Sequence, residues 1–310
     1  MWSPKFWIPD PFMRAPFFTV ITPSWNQGKF LRACIESVVN QRDPDFEHLL
    51  FDNRSTDETV PVAGEFPHVK FVSEPDRGQS HAVNKGLAAA RGEIICWLNS
   101  DDEYAPGAFA KLREAFSDPA VQVVYGDVRQ IEYDGRMEEV ARGKFDSRLD
   151  LIRWWSSRVK LHQPAVFFRR EAALKAGPVR EDLHMAMDYE LWWRMSEFFA
   201  FLYIPQVLAI QHRQPDSKTI RSWATAFVER EKIFSPYYNL IDEGNLAALM
   251  REKRSELGRS YLLQAYALAP TRRIDAARML AKSFHEWPQG IREMRWPGVF
   301  KKMLSWSSTR

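Results

Sequence analysis

The sequence predicts an α/β fold built on a mostly parallel sheet with helices on both faces, and three observations carry that prediction. Short apolar, β-branched runs alternate with segments whose apolar residues recur at helical spacing. Three of those runs end at once in polar or acidic residues: Asp52, Glu74 with Asp76, and Asn99 to Asp102. Residues 221–310 then lose the alternation and read as mainly helical and basic.

Taken in order, residues 1–16 hold prolines and aromatics and read as an irregular arm. Phe17–Thr22 reads as a buried strand, and Pro23-Ser24-Trp25-Asn26-Gln27-Gly28 as the turn after it. Phe30, Leu31, Cys34, Ile35, Val38 and Val39 follow at helical spacing. His48–Phe51 is the second strand and ends at Asp52. Ser55 and Glu58 have the spacing of a capping box, which predicts a helix starting there. Val69–Val72 is a third strand, Ser80–Ala90 a helix, Glu93–Leu98 a fourth strand and Val121–Tyr125 a fifth. Asp150–Lys160 reads as an aromatic-rich helix, Ala165–Phe168 as a strand and Asp188–Phe198 as a helix. Phe201–Ile210 is a strand running up to His212. Ser255–Leu268 and Thr271–Phe284 read as a helical hairpin about Pro270. In sheets of this kind ligands bind outside the carboxyl ends of the strands, so the acidic strand ends gather on one edge.

A chain of 310 residues, 45% hydrophobic, suits one large domain with an appendage or two modest domains. The expected division is an arm at 1–16, a domain at 17–220 with halves 17–127 and 128–220, and a helical extension at 221–310. That extension carries 16 Lys and Arg against 9 Asp and Glu, a net of +7, while the remainder carries 27 against 31. A basic segment can attract acidic lipid, or simply be a solvated helical surface. Trp287, Trp296, Phe300, Leu304 and Trp306 interleave with Arg292, Arg295, Lys301 and Lys302. That mixture suits either an interfacial helix or packing onto the body or a second copy. The two cysteines, Cys34 and Cys96, sit in apolar segments and form no disulfide framework, which favours a reducing compartment. No apolar run approaches the ~20 residues that span a bilayer, and no signal-peptide core opens the chain. The expectation is a cytoplasmic protein, with peripheral contact on the inner face of the plasma membrane as an alternative.

Dinucleotide, phosphate-loop and nucleophile-elbow motifs are absent from the sequence. The chemistry-bearing residues lie at strand and helix ends. Adjacent Asp101 and Asp102 repel each other, and a divalent cation is a natural compensator; a turn or cap is the other reading. Asp52 can accept hydrogen bonds from a base or ribose, or serve a helix-entry turn. Asp76-Arg77-Gly78 is a tight turn. His212 is a metal ligand or an exposed loop histidine, and His162 reads the same way. Asp188, with Glu190 behind it, is a general base facing a pocket or a carboxylate satisfying a helix dipole.

The order of these segments resembles the family-2 glycosyltransferases, which have the GT-A fold. The resemblance runs over residues 17–218, through Val20-Ile21-Thr22-Pro23-Ser24-Trp25-Asn26 and Asp52-Asn53-Arg54-Ser55-Thr56-Asp57. It continues through Glu74-Pro75-Asp76-Arg77-Gly78, Asn84-Lys85-Gly86, Trp97-Leu98-Asn99-Ser100-Asp101-Asp102 and Met187-Asp188-Tyr189-Glu190-Leu191. The resemblance implies a hexosyltransferase that takes a UDP-, GDP- or dTDP-sugar. Pro23, Ser24, Asn26, Asp52, Asn53, Asp76, Asn84, Asn99 and Ser100 would line the donor nucleotide site. Asp101 and His212 would hold Mn²⁺ or Mg²⁺, with Asp102 and His162 nearby. Asn99 stands where the family's metal motif has its first acid, and Met187 where a Glu often precedes the catalytic acid. Asp188 would be the base of an inverting transfer to a hydroxyl of a glycan or lipid-linked acceptor, in surface polysaccharide or glycan synthesis. No nucleic-acid partner is expected, and an oligomer is possible. The rivals are a nucleotidyltransferase of similar fold, which would release pyrophosphate, and a non-catalytic nucleotide-sugar-binding protein.

Overall fold

The computed structural model describes residues 14–132, 138–156, 161–213, 218, 223–240, 243–268 and 273–289. The proposed arm, save 14–16, and the aromatic and basic residues from 290 onward lie outside the described residues. The chain divides into two compact units, Met1–Arg148 with Arg158–Ser235, and Leu149–Ser157 with Pro236–Arg310.

The first unit is built on one sheet of nine strands: β1 (Phe18–Ser24), β2 (Phe46–Asp52), β3 (Val69–Ser73), β4 (Ile94–Trp97), β5 (Asp102–Tyr104), β6 (Val123–Glu132), β7 (Glu138–Ala141), β8 (Val166–Arg169) and β9 (Phe201–Arg213). The order is β3-β2-β1-β4-β8-β6-β9-β5, with β7 on β6. The pairs β3–β2, β2–β1 and β1–β4 are parallel, so β1, β2 and β4 deliver their carboxyl ends to one edge. The remainder is mixed, with β8 antiparallel to both β4 and β6, and β9 parallel to β6 but antiparallel to β5.

Helices cover both faces of the parallel part, and β2 shows why. Leu50 packs with Leu31 and Ile35 of α1 (Gly28–Val39) and with Val62 of α2 (Thr59–Gly64). Its neighbours Leu49 and Phe51 pack on the opposite side, with Ala82 of α3 (Gln79–Ala89). A strand buried on both faces is apolar at successive positions, as Val20-Ile21 and Leu49–Phe51 are, and its buried polar residues are paired across the strands, Thr19 with Glu47 and Thr22 with His48. α4 (Ala108–Ala115) adds Phe109 and Leu112 to the core formed by Phe18, Val20, Cys34 and Cys96. At Gly86 of α3 a Cβ would lie 2.3 Å from the Ile21 side chain, so only glycine lets that helix approach β1.

Some elements differ from expectation for definite reasons. The capping box does not form: Ser55 turns back to Asp52 instead, and α2 starts four residues later. Asp57 takes over the cap, accepting from the Thr59 N–H at 3.0 Å and hydroxyl at 2.5 Å and from the Gly28 N–H at 2.9 Å. The helix expected over 150–160 is a 3-10 turn at Arg148–Arg153, with 157–160 outside the described residues. Trp154 and Trp155 are consecutive and both buried, and they meet edge to face, which one helix face does not allow. The strand expected at 201–210 extends to Arg213, because β6 continues to pair with it through Ile131↔His212 and Glu132↔Arg213.

The first unit also holds α5 (Arg170–Ala176), α6 (Met187–Phe198) and α7 (Trp223–Phe234). The second contains α8 (Glu243–Leu268) and α9 (Arg273–Glu286), joined where the Ser283 hydroxyl donates to the Gly258 carbonyl at 2.7 Å. Among the described residues no helix is long and apolar enough to cross a membrane.

Candidate active site

One polar edge of the sheet is built from the ends of β1, β2 and β4. Asp52 is buried, and its carboxylate is held by three donors: the Ser55 N–H at 3.0 Å, the Ser73 hydroxyl at 2.6 Å and the Ser55 hydroxyl. Such bonds offset the desolvation of a carboxylate at a strand end. Asn26, with left-handed φ of 51°, knits this edge to the β1 turn. Its N–H donates to the Ser55 hydroxyl at 2.7 Å and its side-chain oxygen accepts from the Thr56 N–H at 2.9 Å. Asn53 accepts from the Asp76 N–H at 2.9 Å, and Asp76 in turn accepts from the Gly78 N–H at 2.7 Å. Ser100 donates to the Pro23 carbonyl at 3.2 Å and to Gln27. Ser24 is different: its hydroxyl is buried and, among the described residues, has no hydrogen-bond partner.

The acidic cluster lies between two strands and not at the end of one. Asn99–Asp101 leave β4, and Asp102 opens β5, whose antiparallel pairing with β9 sets Asp102 opposite Gln211, one residue from His212. Asp101, Asp102, Glu103 and His212 therefore line one open pocket of about 230 Å³, with Lys29, Phe30 and Ala33. Burial pushes both aspartates up in pKa, Asp102 further because Asp101 repels its charge. His212 Nε2 lies 2.6 Å from a Glu103 carboxylate oxygen, and that bond raises its pKa. Glu103 was not singled out in the sequence; pairing of β5 with β9 is what brings it to His212. Among the described residues no cluster of three or more metal-ligating side chains is assembled. Asp101, Asp102 and His212 supply donors of the kind a divalent cation takes, but they share the pocket without meeting as one ligand set.

Asn99 is the most heavily committed member. Its side-chain oxygen accepts from Gln79 at 2.8 Å and from the Trp97 indole at 3.1 Å, and its amide nitrogen donates to Gln163 at 2.7 Å. Gln163 also donates to the Trp97 carbonyl at 2.6 Å. An amide donates and accepts at once, whereas an ionised aspartate only accepts and would lose the bond to Gln163. His162 is half-buried and caps the 3-10 turn Gln163–Ala165.

Asp188 stands on the other side, in the first turn of α6, half-buried, its own carboxylate accepting from the Tyr189 N–H at 2.8 Å. Burial raises its pKa, against the pull of Arg230 and Lys218. Arg230 also lies over the Tyr189 ring, 4.5 Å from its centroid. Lys218 donates to Gln79 at 3.1 Å, and Gln79 donates to Asn99, so a polar chain joins the Asp188 side to the acidic cluster. The loop before α6 is stitched to α3. Asn84 exchanges two bonds with Val179, at 2.8 and 2.9 Å, and Arg77 pairs with Glu181 at 2.7 Å. Glu190 is buried and paired with Arg194 at 2.8 Å, and Arg194 also donates to the Pro178 carbonyl at 2.9 Å.

The family model described as glycosyl transferase family 2 matches residues 19–175. An uncharacterized protein of Mycobacterium tuberculosis is 27% identical over 240 residues, 71% of this chain and 75% of that one. A chondroitin synthase of Escherichia coli is 29% identical over 202 residues, 63% of this chain but 28% of the synthase, so the match spans about a quarter of that relative. Among solved structures, Staphylococcus aureus TarS 1–349 in complex with UDP superimposes with a TM-score of 0.53 at 16% identity, covering 87% of this chain and 88% of that one. The mannosyltransferase PcManGT from Pyrobaculum calidifontis, in complex with GDP-Man and Mn²⁺, gives a TM-score of 0.57 at 19% identity, covering 97% and 87%. At these identities the two structures bear on the fold alone.

Proposed function

The chain belongs to glycosyl transferase family 2, and from that premise we propose that it is an inverting transferase moving a sugar from a nucleoside diphosphate to an acceptor hydroxyl. The observation that carries the proposal is a desolvated acidic pair beside Asn99, which is bonded through Gln79 to Lys218, together with a separate half-buried carboxylate, Asp188, in the field of that lysine.

The donor half supplies binding. Asp52, Asn53 and Asp76 form the wall for base and ribose, and the orphaned Ser24 hydroxyl is a donor that a nucleotide oxygen can satisfy. Asp101 and His212 are the groups that would hold Mn²⁺ or Mg²⁺, with Asp102 beside them. Held by these groups, such a cation would supply charge neutralisation for the departing diphosphate. Lys29 lines the same pocket and adds a positive charge.

Asp188 supplies the base. Its carboxylate takes the proton from the acceptor hydroxyl as that oxygen attacks the anomeric carbon from the face opposite the diphosphate. Burial raises its proton affinity toward what general-base catalysis requires. No covalent enzyme intermediate is needed, and the configuration inverts. The relative that is a chondroitin synthase supports a glycan acceptor for this chain as well. A cytoplasmic position and contact of the basic tail with a membrane surface remain part of the same proposal.

A thermal-shift screen of UDP-, GDP- and dTDP-sugars with Mn²⁺ tests the donor reading. One class should raise the melting temperature, and no response to any of them contradicts it.

A further inference from the structure

Asp188 depends on a residue 41 positions away. We propose that Glu229 of α7 is the positioning residue for the catalytic base, a clamp that fixes the loop entering α6. The inference rests on the reading of Asp188 as that base.

Glu229 is buried, with 8% of its surface exposed. Its carboxylate accepts from three successive backbone N–H groups: His184 at 2.8 Å on one oxygen, and Met185 at 2.8 Å and Ala186 at 2.9 Å on the other. These N–H groups lie immediately before α6, and Ala186 is its cap residue. The cap residue Ala186 has no polar side chain to cap the helix, and the carboxylate takes its backbone N–H together with the two before it, so it ties down the entering chain rather than the helix interior. A negative charge there also suits the positive end of the helix dipole.

Asp188 is the second residue of α6, so its placement follows that of the clamped loop. The Ala186 carbonyl accepts from the Glu190 N–H at 3.0 Å and closes the first turn around it. The next residue on α7, Arg230, reaches the Tyr189 ring and the field of Asp188. One turn of α7 thus holds the backbone before the base and sets a cation beside it. Asn84 and Arg77 of the α3 region fix the earlier part of the same loop, so it is anchored at both ends.

The conservative change Glu229→Gln is the informative one. Glutamine keeps the size but replaces one accepting oxygen with a donor, which faces one or two of the three N–H groups and cannot accept from them. A misplacement of about 1 Å at a reacting group can cost about 10²-fold in rate. The experiment measures three things on the full chain with Mn²⁺, using UDP-GlcNAc and GDP-mannose as probes: nucleoside diphosphate release, donor affinity and amide exchange at residues 184–186. For Glu229→Gln we expect a ten- to hundredfold fall in kcat, donor affinity within about twofold, and faster exchange confined to those amides. Combined with Asp188→Asn, it should cost nothing further, because two residues acting as a unit are non-additive. Unchanged kcat, unchanged exchange, or a loss of donor affinity in step with kcat would overturn the clamp. An Asp188→Asn variant that turns over normally would instead remove the base reading. The two failures are therefore distinguishable.

Discussion

The edge that we propose binds the donor and the side that we propose carries the base are built on different logic. Each polar group of the donor edge follows directly from the strand that ends in it: Ser24 closes β1, Asp52 closes β2, and Asn99 follows β4. Its partners are near in space because the neighbouring strands are parallel and in register. Asp188 begins a helix, and what fixes it comes from α3, α7 and Lys218. A strand end inherits its precision from the sheet, whereas a helix start borrows it from residues distant in the chain, both before and after it. Substitutions on the base side should therefore affect turnover with little effect on donor binding, and donor-edge substitutions should affect both.

The sharpest separation is expected from Asp188→Asn. Loss of a general base costs about 10²- to 10⁴-fold in turnover, while the donor-induced melting shift should stay as in the wild type. Asp101→Ala should cost about 10²-fold and flatten the response to added Mn²⁺. Undiminished Mn²⁺-stimulated turnover would remove Asp101 from the site. Arg169→Met tests the sheet itself. That buried guanidinium donates to the carbonyls of Val121 at 2.8 Å, Phe116 at 2.8 Å and Asp118 at 3.1 Å, and pairs with Glu93. Its loss should lower stability by about 3 kcal/mol in urea titration and leave the donor KM of the folded fraction unchanged.

The remaining tests are smaller. Because burial holds the Asp188 pKa above its ordinary value, the ionised base is lost as pH falls from a higher starting point. The acidic limb of kcat should therefore lie above the range of an exposed aspartate, about 3.9. A limb at or below that value contradicts the desolvated base. Arg77→Ala breaks an exposed pair with Glu181 and should change stability by less than about 1 kcal/mol.

The donor edge was the legible part. Apolar runs ending in Asp52, in Glu74 with Asp76, and in Asn99 to Asp102 point to a mostly parallel sheet with polar groups on one edge, because the signal and the element are adjacent in sequence; the strand order is set by pairings across the sheet and is not legible there. Asp57 replaced Ser55 as the α2 cap because Ser55 was recruited by Asp52, a competition that spacing alone does not resolve. Glu103 and Glu229 had no local signal. Glu103 meets His212 only because β5 pairs with β9. Glu229 looks like any charged helix residue until α7 is laid against the loop before α6. Asn99 was conspicuous in sequence, but its meaning lay in Gln79, Trp97 and Gln163.

The most direct measurement is NMR analysis of the products formed from an α-linked nucleotide-sugar and a hydroxyl acceptor with Mn²⁺. Inverting transfer predicts a β-linked product released with one nucleoside diphosphate. A retained α linkage, or release of pyrophosphate, would contradict it.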